Sequence, residues 1–142
     1  MSDTYPATVA EVLNPQMKFK PDALRAVKRF ARSKPWQGTA SERKAKFRRL
    51  NKQLAVAYGI PKPRLAFVQV EGGLPGNGCY RPLGHAITLY GRLSVVTYLH
   101  EFGHARGYGE RGACRFSINL FRRLFPRSFA RCRPVGHVLV NS

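Results

Sequence analysis

A small α+β domain is the fold class that this 142-residue chain predicts, and three observations lead there. Apolar residues recur at helical spacing over four stretches, 21–33, 40–58, 95–106 and 110–125. Between the second and third of these lie short pieces rich in β-branched and aromatic residues, bounded by Gly and Pro. The hydrophobic share is 44%, enough for one modest core, and no apolar run approaches the ~20 residues that span a bilayer.

The elements follow in order. Residues 1–20 carry Pro6 and Pro15 and little periodicity, so they read as an irregular N-terminal segment ahead of a single domain over 21–142. Pro21-Asp22 opens a helix to about Ser33 with Leu24, Val27 and Phe30 on one face, and Pro35, Trp36 and Gly38 break it. Trp36 and the Phe residues read as core. Thr39-Ala40-Ser41-Glu42 is a capping box, its Glu three residues after its Thr. The helix it opens carries Phe47, Leu50, Leu54 and Tyr58, and Gly59 ends it. Its other faces display Arg43, Lys44, Lys46, Arg48, Arg49 and Lys52, which read as a solvated face.

Pro61-Lys62-Pro63 leads into a strand at Leu65–Val70. A turn-rich loop over Gly72–Gly78 precedes extended pieces at Cys79–Pro82 and Ala86–Tyr90, in a small mixed or antiparallel sheet. Ser94 is an N-cap for a helix over Val95–Arg106. A last helix over Glu110–Phe125 buries Ala113, Phe116, Leu120, Phe121 and Leu124 and stops at Pro126. The tail, Arg127–Ser142, is basic and ends in the apolar Val138-Leu139-Val140.

The chemistry is concentrated in His100-Glu101-Phe102-Gly103-His104. Residues four apart share a helix face, so both imidazoles reach one Zn²⁺. Glu101 then stands beside the metal, where it takes a proton from a bound water. With four His and five Glu in the chain, chance would assemble H-E-x-x-H about 0.004 times. A catalytic zinc usually takes three protein groups and keeps a fourth position for water. Gly107 and Gly109 permit φ > 0, which ends the helix and turns the chain back toward the metal.

Glu110, six residues after His104, is the expected third ligand. From Gly72 to Ser142 the only acids are Glu101 and Glu110, against ten arginines, so these two are not there for solubility. The other reading of Glu110 is a helix-start carboxylate favoured by the dipole. His137 is the rival ligand and His85 a weaker one. Tyr108 or His137 could serve as oxyanion stabiliser, and Asn119 could hold a ligand from behind. Cys79, Cys114 and Cys132 have no ligand spacing and read as buried small apolar residues.

This order of elements resembles the minimal zincin fold, and Leu99-His-Glu-Phe-Gly-His104 is similar to the metal helix of ImmA/IrrE-type peptidases. Their second signature resembles Glu110-Arg-Gly-Ala113-Cys-Arg-Phe116, continuing to Leu124-Phe-Pro126. The Asn that commonly follows the Ala is Cys114 here. The short spacer is closer to the metzincin pattern with Glu in the last position, but no Met follows for a Met-turn. The resemblance implies His100, His104 and Glu110 as zinc ligands and Glu101 as base. It also implies that Ala86–Tyr90, the strand before the metal helix, borders the cleft and pairs with extended substrate. SprT-like proteases resemble the chain more weakly, in joining H-E-x-x-H to DNA binding.

Charge adds a second theme. With 25 Lys and Arg against seven acids the net charge is +18, which attracts polyanions, nucleic acid first. Lysines are confined to positions 18–62, and every base beyond is arginine, suited to bidentate phosphate contacts. Charge alone supplies no groove or motif. The odd number of cysteines and an N-terminus without a signal-like run point to a reducing, cytoplasmic setting and no membrane. The expected function is a zinc metallopeptidase acting on protein or peptide through a Zn-bound water activated by Glu101. The alternative is a basic nucleic-acid-binding protein with a regulatory or non-catalytic zincin core, or one that acts on DNA-bound proteins.

Overall fold

A computed structural model describes residues 8–70, 77–135 and 138–141. The chain runs α1 (Val9–Val12), α2 (Pro21–Arg32), α3 (Ala40–Tyr58), β1 (Arg64–Val68), β2 (Asn77–Arg81), β3 (Ala86–Tyr90), α4 (Val95–Ala105), α5 (Glu110–Leu124), α6 (Pro126–Ala130), β4 (Cys132–Val135) and β5 (Val138–Asn141). It is an α+β fold. The sheet is mixed, in the order β1-β3-β2, with β1 parallel and β2 antiparallel to the central β3. β4 and β5 form a separate antiparallel pair. No helix among the described residues is long and apolar enough to cross a membrane.

Local signals set the helix ends. In α3 both halves of the capping box form: Thr39 Oγ1 accepts from the Glu42 N–H at 3.1 Å, and Glu42 Oε1 accepts from the Thr39 N–H at 3.0 Å. Gly59 closes α3 in the left-handed region at φ 64°, with its N–H bonded to Val56 and that of Ile60 to Ala55. The core lies where α2, α3, α4 and α5 meet under the sheet, around Val27, Phe30, Phe47, Leu54, Tyr98, Phe102 and Phe116. Buried Asn51 locks three elements together. Its amide donates to Pro63 O at 2.8 Å ahead of β1, and its Oδ1 accepts from the Tyr98 hydroxyl of α4 at 2.8 Å.

Four sequence expectations change here. Residues 8–13 form a capped helical turn inside the segment read as irregular, with Val9 and Val12 buried against Cys114 and Ile118 of α5. Asn119 does not reach the H-E-x-x-H residues through any described bond. Its Oδ1 accepts from the Asn14 N–H at 2.6 Å, and its amide donates to Val12 O and Arg115 O at 2.8 Å, so it fastens the N-terminal turn to α5. Trp36 is not core. It is 52% exposed on the α2–α3 turn, one side leaning on Phe125. The edges of β1 and β2 shift by one or two residues: β2 starts at Asn77, inside the stretch read as loop, and the rest of that loop, 72–76, lies outside the described residues.

Candidate metal centre

α4 starts at Ser94, whose Oγ accepts from the Thr97 N–H at 3.3 Å. Tyr98, Leu99 and Phe102 are buried in the core, which turns His100 and His104 to the opposite face, one turn apart. The helix ends in a Schellman turn. Gly107, at φ 100°, donates to His104 O at 2.9 Å, and the Tyr108 N–H donates to Gly103 O at 3.1 Å. Gly109 is instead extended at φ −72° and caps α5, so only Gly107 supplies the left-handed turn. The same turn brings the Tyr108 carbonyl to His104 Nδ1 at 2.9 Å. That bond places the Nδ1 proton and leaves Nε2 as a lone-pair donor.

Glu110, first residue of α5, closes the group. Its Oε1 lies 2.9 Å from His100 Nε2 and 2.8 Å from His104 Nε2, and the two Nε2 atoms are 3.2 Å apart. Tetrahedral zinc at about 2.0–2.1 Å from each would set its ligand atoms about 3.3 Å apart, so the donors need to open by only a few tenths of an ångström. Burial pushes the Glu110 carboxyl up, but His100 and His104 outweigh it and hold it below the ordinary carboxylate range. The helices come this close because position 103 has no side chain. A Cβ on Gly103 would lie 3.0 Å from Ala113 Cα and 3.2 Å from its Cβ.

Cys114 stands one turn beyond Glu110 on α5, and His100, Glu110 and Cys114 place ligand atoms within 4.8 Å of one another. Its Sγ lies 3.7 Å from His100 Nδ1, the ring nitrogen opposite the one that meets Glu110. One ion cannot bind both nitrogens of a single imidazole. His100, His104 and Glu110 are thus the tighter set, and the thiol sits behind His100, where an orienting partner belongs. Reading Cys114 only as a small apolar residue missed this. The available signal was its position four residues after Glu110, on the same helix face.

Glu101 lies on the sheet side of α4. Only 8% of it is exposed, and burial pushes its carboxyl up to about 7; the Glu110 charge adds to this, while His104 and the Tyr80 N–H oppose it. β2 reaches Glu101 because Gly78 lets it: a Cβ there would lie 2.9 Å from Glu101 Cγ. A cleft of about 1660 Å³ runs past these residues, lined by β2, by α4 and α5, and by Cys79 and Cys132. This corrects the expected substrate strand. β3 is paired on both sides, whereas β2 is the edge strand that borders the cleft.

Of the other candidates, Tyr108 lines the cleft, its hydroxyl accepting from Arg106 at 3.0 Å. His85 sits in the β2–β3 turn at φ 50°, bonded to the Tyr80 hydroxyl at 2.7 Å and to Pro61 O at 2.6 Å, and does not join the ligand group. His137 lies outside the described residues. Compared with family models, with curated proteins and with solved structures, the chain matches none.

Proposed function

We propose that the chain is a zinc-dependent peptidase whose ligands are His100, His104 and Glu110 and whose base is Glu101. The observation that supports it most is the convergence of two Nε2 atoms and one carboxylate oxygen within 2.8–3.2 Å of one another, beside a second, buried carboxyl. Two imidazoles and a carboxylate are a donor set that zinc takes in hydrolytic sites, where it supplies a Lewis acid and an open fourth position. Glu101, buried beside the ligands, would take the proton of the attacking water and later give it to the leaving amine. The Tyr80 N–H holds the Glu101 carboxylate toward the cleft. Extended substrate pairs along the edge of β2, and the Tyr108 hydroxyl is the donor available to the developing oxyanion. A cytoplasmic setting, which keeps thiols reduced, suits a cleft that carries Cys79, Cys114 and Cys132.

Metal analysis of the purified protein, paired with a broad protease assay, tests this. Glu101→Gln is expected to keep the bound metal and to abolish cleavage. Glu110→Ala is expected to weaken metal binding by more than the roughly 10–100-fold that loss of a ligand's hydrogen-bond partner costs. Cleavage that survives Glu101→Gln would remove the base, and full occupancy in Glu110→Ala would remove the third ligand.

A further inference from the structure

A second cavity, of about 510 Å³, shares Trp36 and Arg92 with the cleft beside α4 and is lined also by Arg43, Lys44 and Phe67. No acidic residue lines it among the described residues. Trp36 is held there by a fastened turn. Lys46 donates to Lys34 O at 2.9 Å and Gln37 O at 3.1 Å, and Arg43 donates to Gly38 O at 3.1 Å. Lys34 and Gly38 take positive φ, 55° and 101°, so the turn has a specific shape that keeps the indole 52% exposed when the core is close by. Beside it, Phe67 carries the Arg48 guanidinium 4.9 Å and the Lys44 ammonium 5.8 Å from its ring centre.

We propose that this groove binds single-stranded nucleic acid, with a base stacked on Trp36 and backbone phosphates on Lys44 and Arg92. An exposed flat ring between cations is what a single strand needs, since every base has a π-face and each nucleotide brings one phosphate. An acidic peptide would use the cations but not the indole. A duplex keeps its bases paired and offers the ring nothing to stack on. The net charge of +18 draws any polyanion to the molecule, and the groove supplies the contact that charge alone cannot. Trp36 and Arg92 line both the groove and the metal cleft, so a strand stacked on Trp36 lies at the border of that cleft. The proposal uses none of the metal ligands and stands whether or not the cleft hydrolyses peptides.

Trp36 is the only tryptophan in the chain, so its fluorescence reports on the groove directly. Titration with an oligothymidylate of about 12 nucleotides is expected to quench it, with affinity that falls steeply with salt. Trp36→Ala, followed by anisotropy of a labelled strand, is expected to weaken binding about tenfold. Lys44→Ala combined with Arg92→Ala is expected to reduce the slope of log K against log salt by about 1.4, at about 0.7 per single-strand phosphate. Should Trp36→Ala fail to fold, the quenching and this slope still decide. Binding without quenching and with an unchanged slope would place the contact elsewhere and overturn the proposal. Equal quenching by a polyaspartate peptide, or tighter binding of duplex than of single strand, would overturn it as well.

Discussion

Gly78 shows how much a single missing side chain can decide. A Cβ at this position would lie 2.9 Å from both Glu101 Cγ and Thr97 Cγ2 and 3.2 Å from Leu89 Cδ2, so an added methyl must move β2 or the Glu101 side chain beneath it, the proposed base. Misplacing a reacting group by about 1 Å costs about 100-fold in rate. Gly78→Ala is therefore expected to lower hydrolysis by about that factor while the metal content stays at the level of the parent; unchanged activity would show that Glu101 does not depend on β2. Asn119 is a counterpart for stability. Its three bonds tie Asn14, Val12 and Arg115 together, and at about 1 kcal/mol net for each, Asn119→Ala should cost about 2–3 kcal/mol in denaturant titration. A cost below 0.5 kcal/mol would mean that the N-terminal turn is held by Val9 and Val12 alone. Neither role was readable from the chain. Asn119 and its partner Asn14 lie 105 positions apart, and periodicity records which face a residue occupies, not what comes to meet it. Trp36 misled for the same reason. A large ring predicts burial on average, but the turn that carries it is pinned outward by Lys46 and Arg43.

At the level of elements the signals were local, and so they were legible. The Thr39 capping box, Ser94, Gly59 and Gly107 each satisfy helix-end groups with neighbours three to five residues away, and each appears where the sequence placed it. The Glu42 carboxyl carries the consequence of the α3 box. The Thr39 N–H, then its hydroxyl, hold that carboxyl below its ordinary value of 4.5. A lowered acid adds stability that is present above pH 4.5 and is lost as pH falls through the folded value. The stability gap between the parent and Glu42→Gln is thus expected to be widest near neutral pH and to close on acidification. A gap that is independent of pH, measured by thermal melts from pH 7 to about 3, would refute the box as a charged cap. The pairing of elements was less legible. The sequence left the sheet mixed or antiparallel, and the zincin resemblance implied the cleft edge for β3, the strand before α4. In the fold β3 takes the centre, and β2 reaches the cleft through Gly78. Short strands of alternating burial fit either edge or centre, and only the loop geometry chooses between them.

Across the whole molecule, charge and fold pull in opposite directions. Of the five acids among the described residues, Glu11 and Glu42 cap helices, Asp22 pairs with Arg25, and Glu101 and Glu110 face the cleft. Only Glu11, through Arg111 at 3.2 Å, joins elements distant in sequence by an ion pair with a fixed cation. The remaining cations repel one another across the surface, with 25 Lys and Arg against seven acids in the full chain. The proposed metal site would meet the same field, since a divalent ion would enter a strongly positive molecule where, among the described residues, Glu101 and Glu110 are the carboxyls lining the cleft. Screening should relieve this self-repulsion, because the Debye length shrinks from about 10 Å at 0.1 M salt to about 3 Å at 1 M. The melting temperature of the metal-free protein is therefore expected to rise between these two salt concentrations, with NaCl and KCl giving the same increase. A fall with salt would mean that attractive pairs outweigh repulsion, against the count of acids and bases. A rise with sulfate or phosphate alone would point to anions bound at particular arginines, such as those lining the Trp36 groove, in place of general screening.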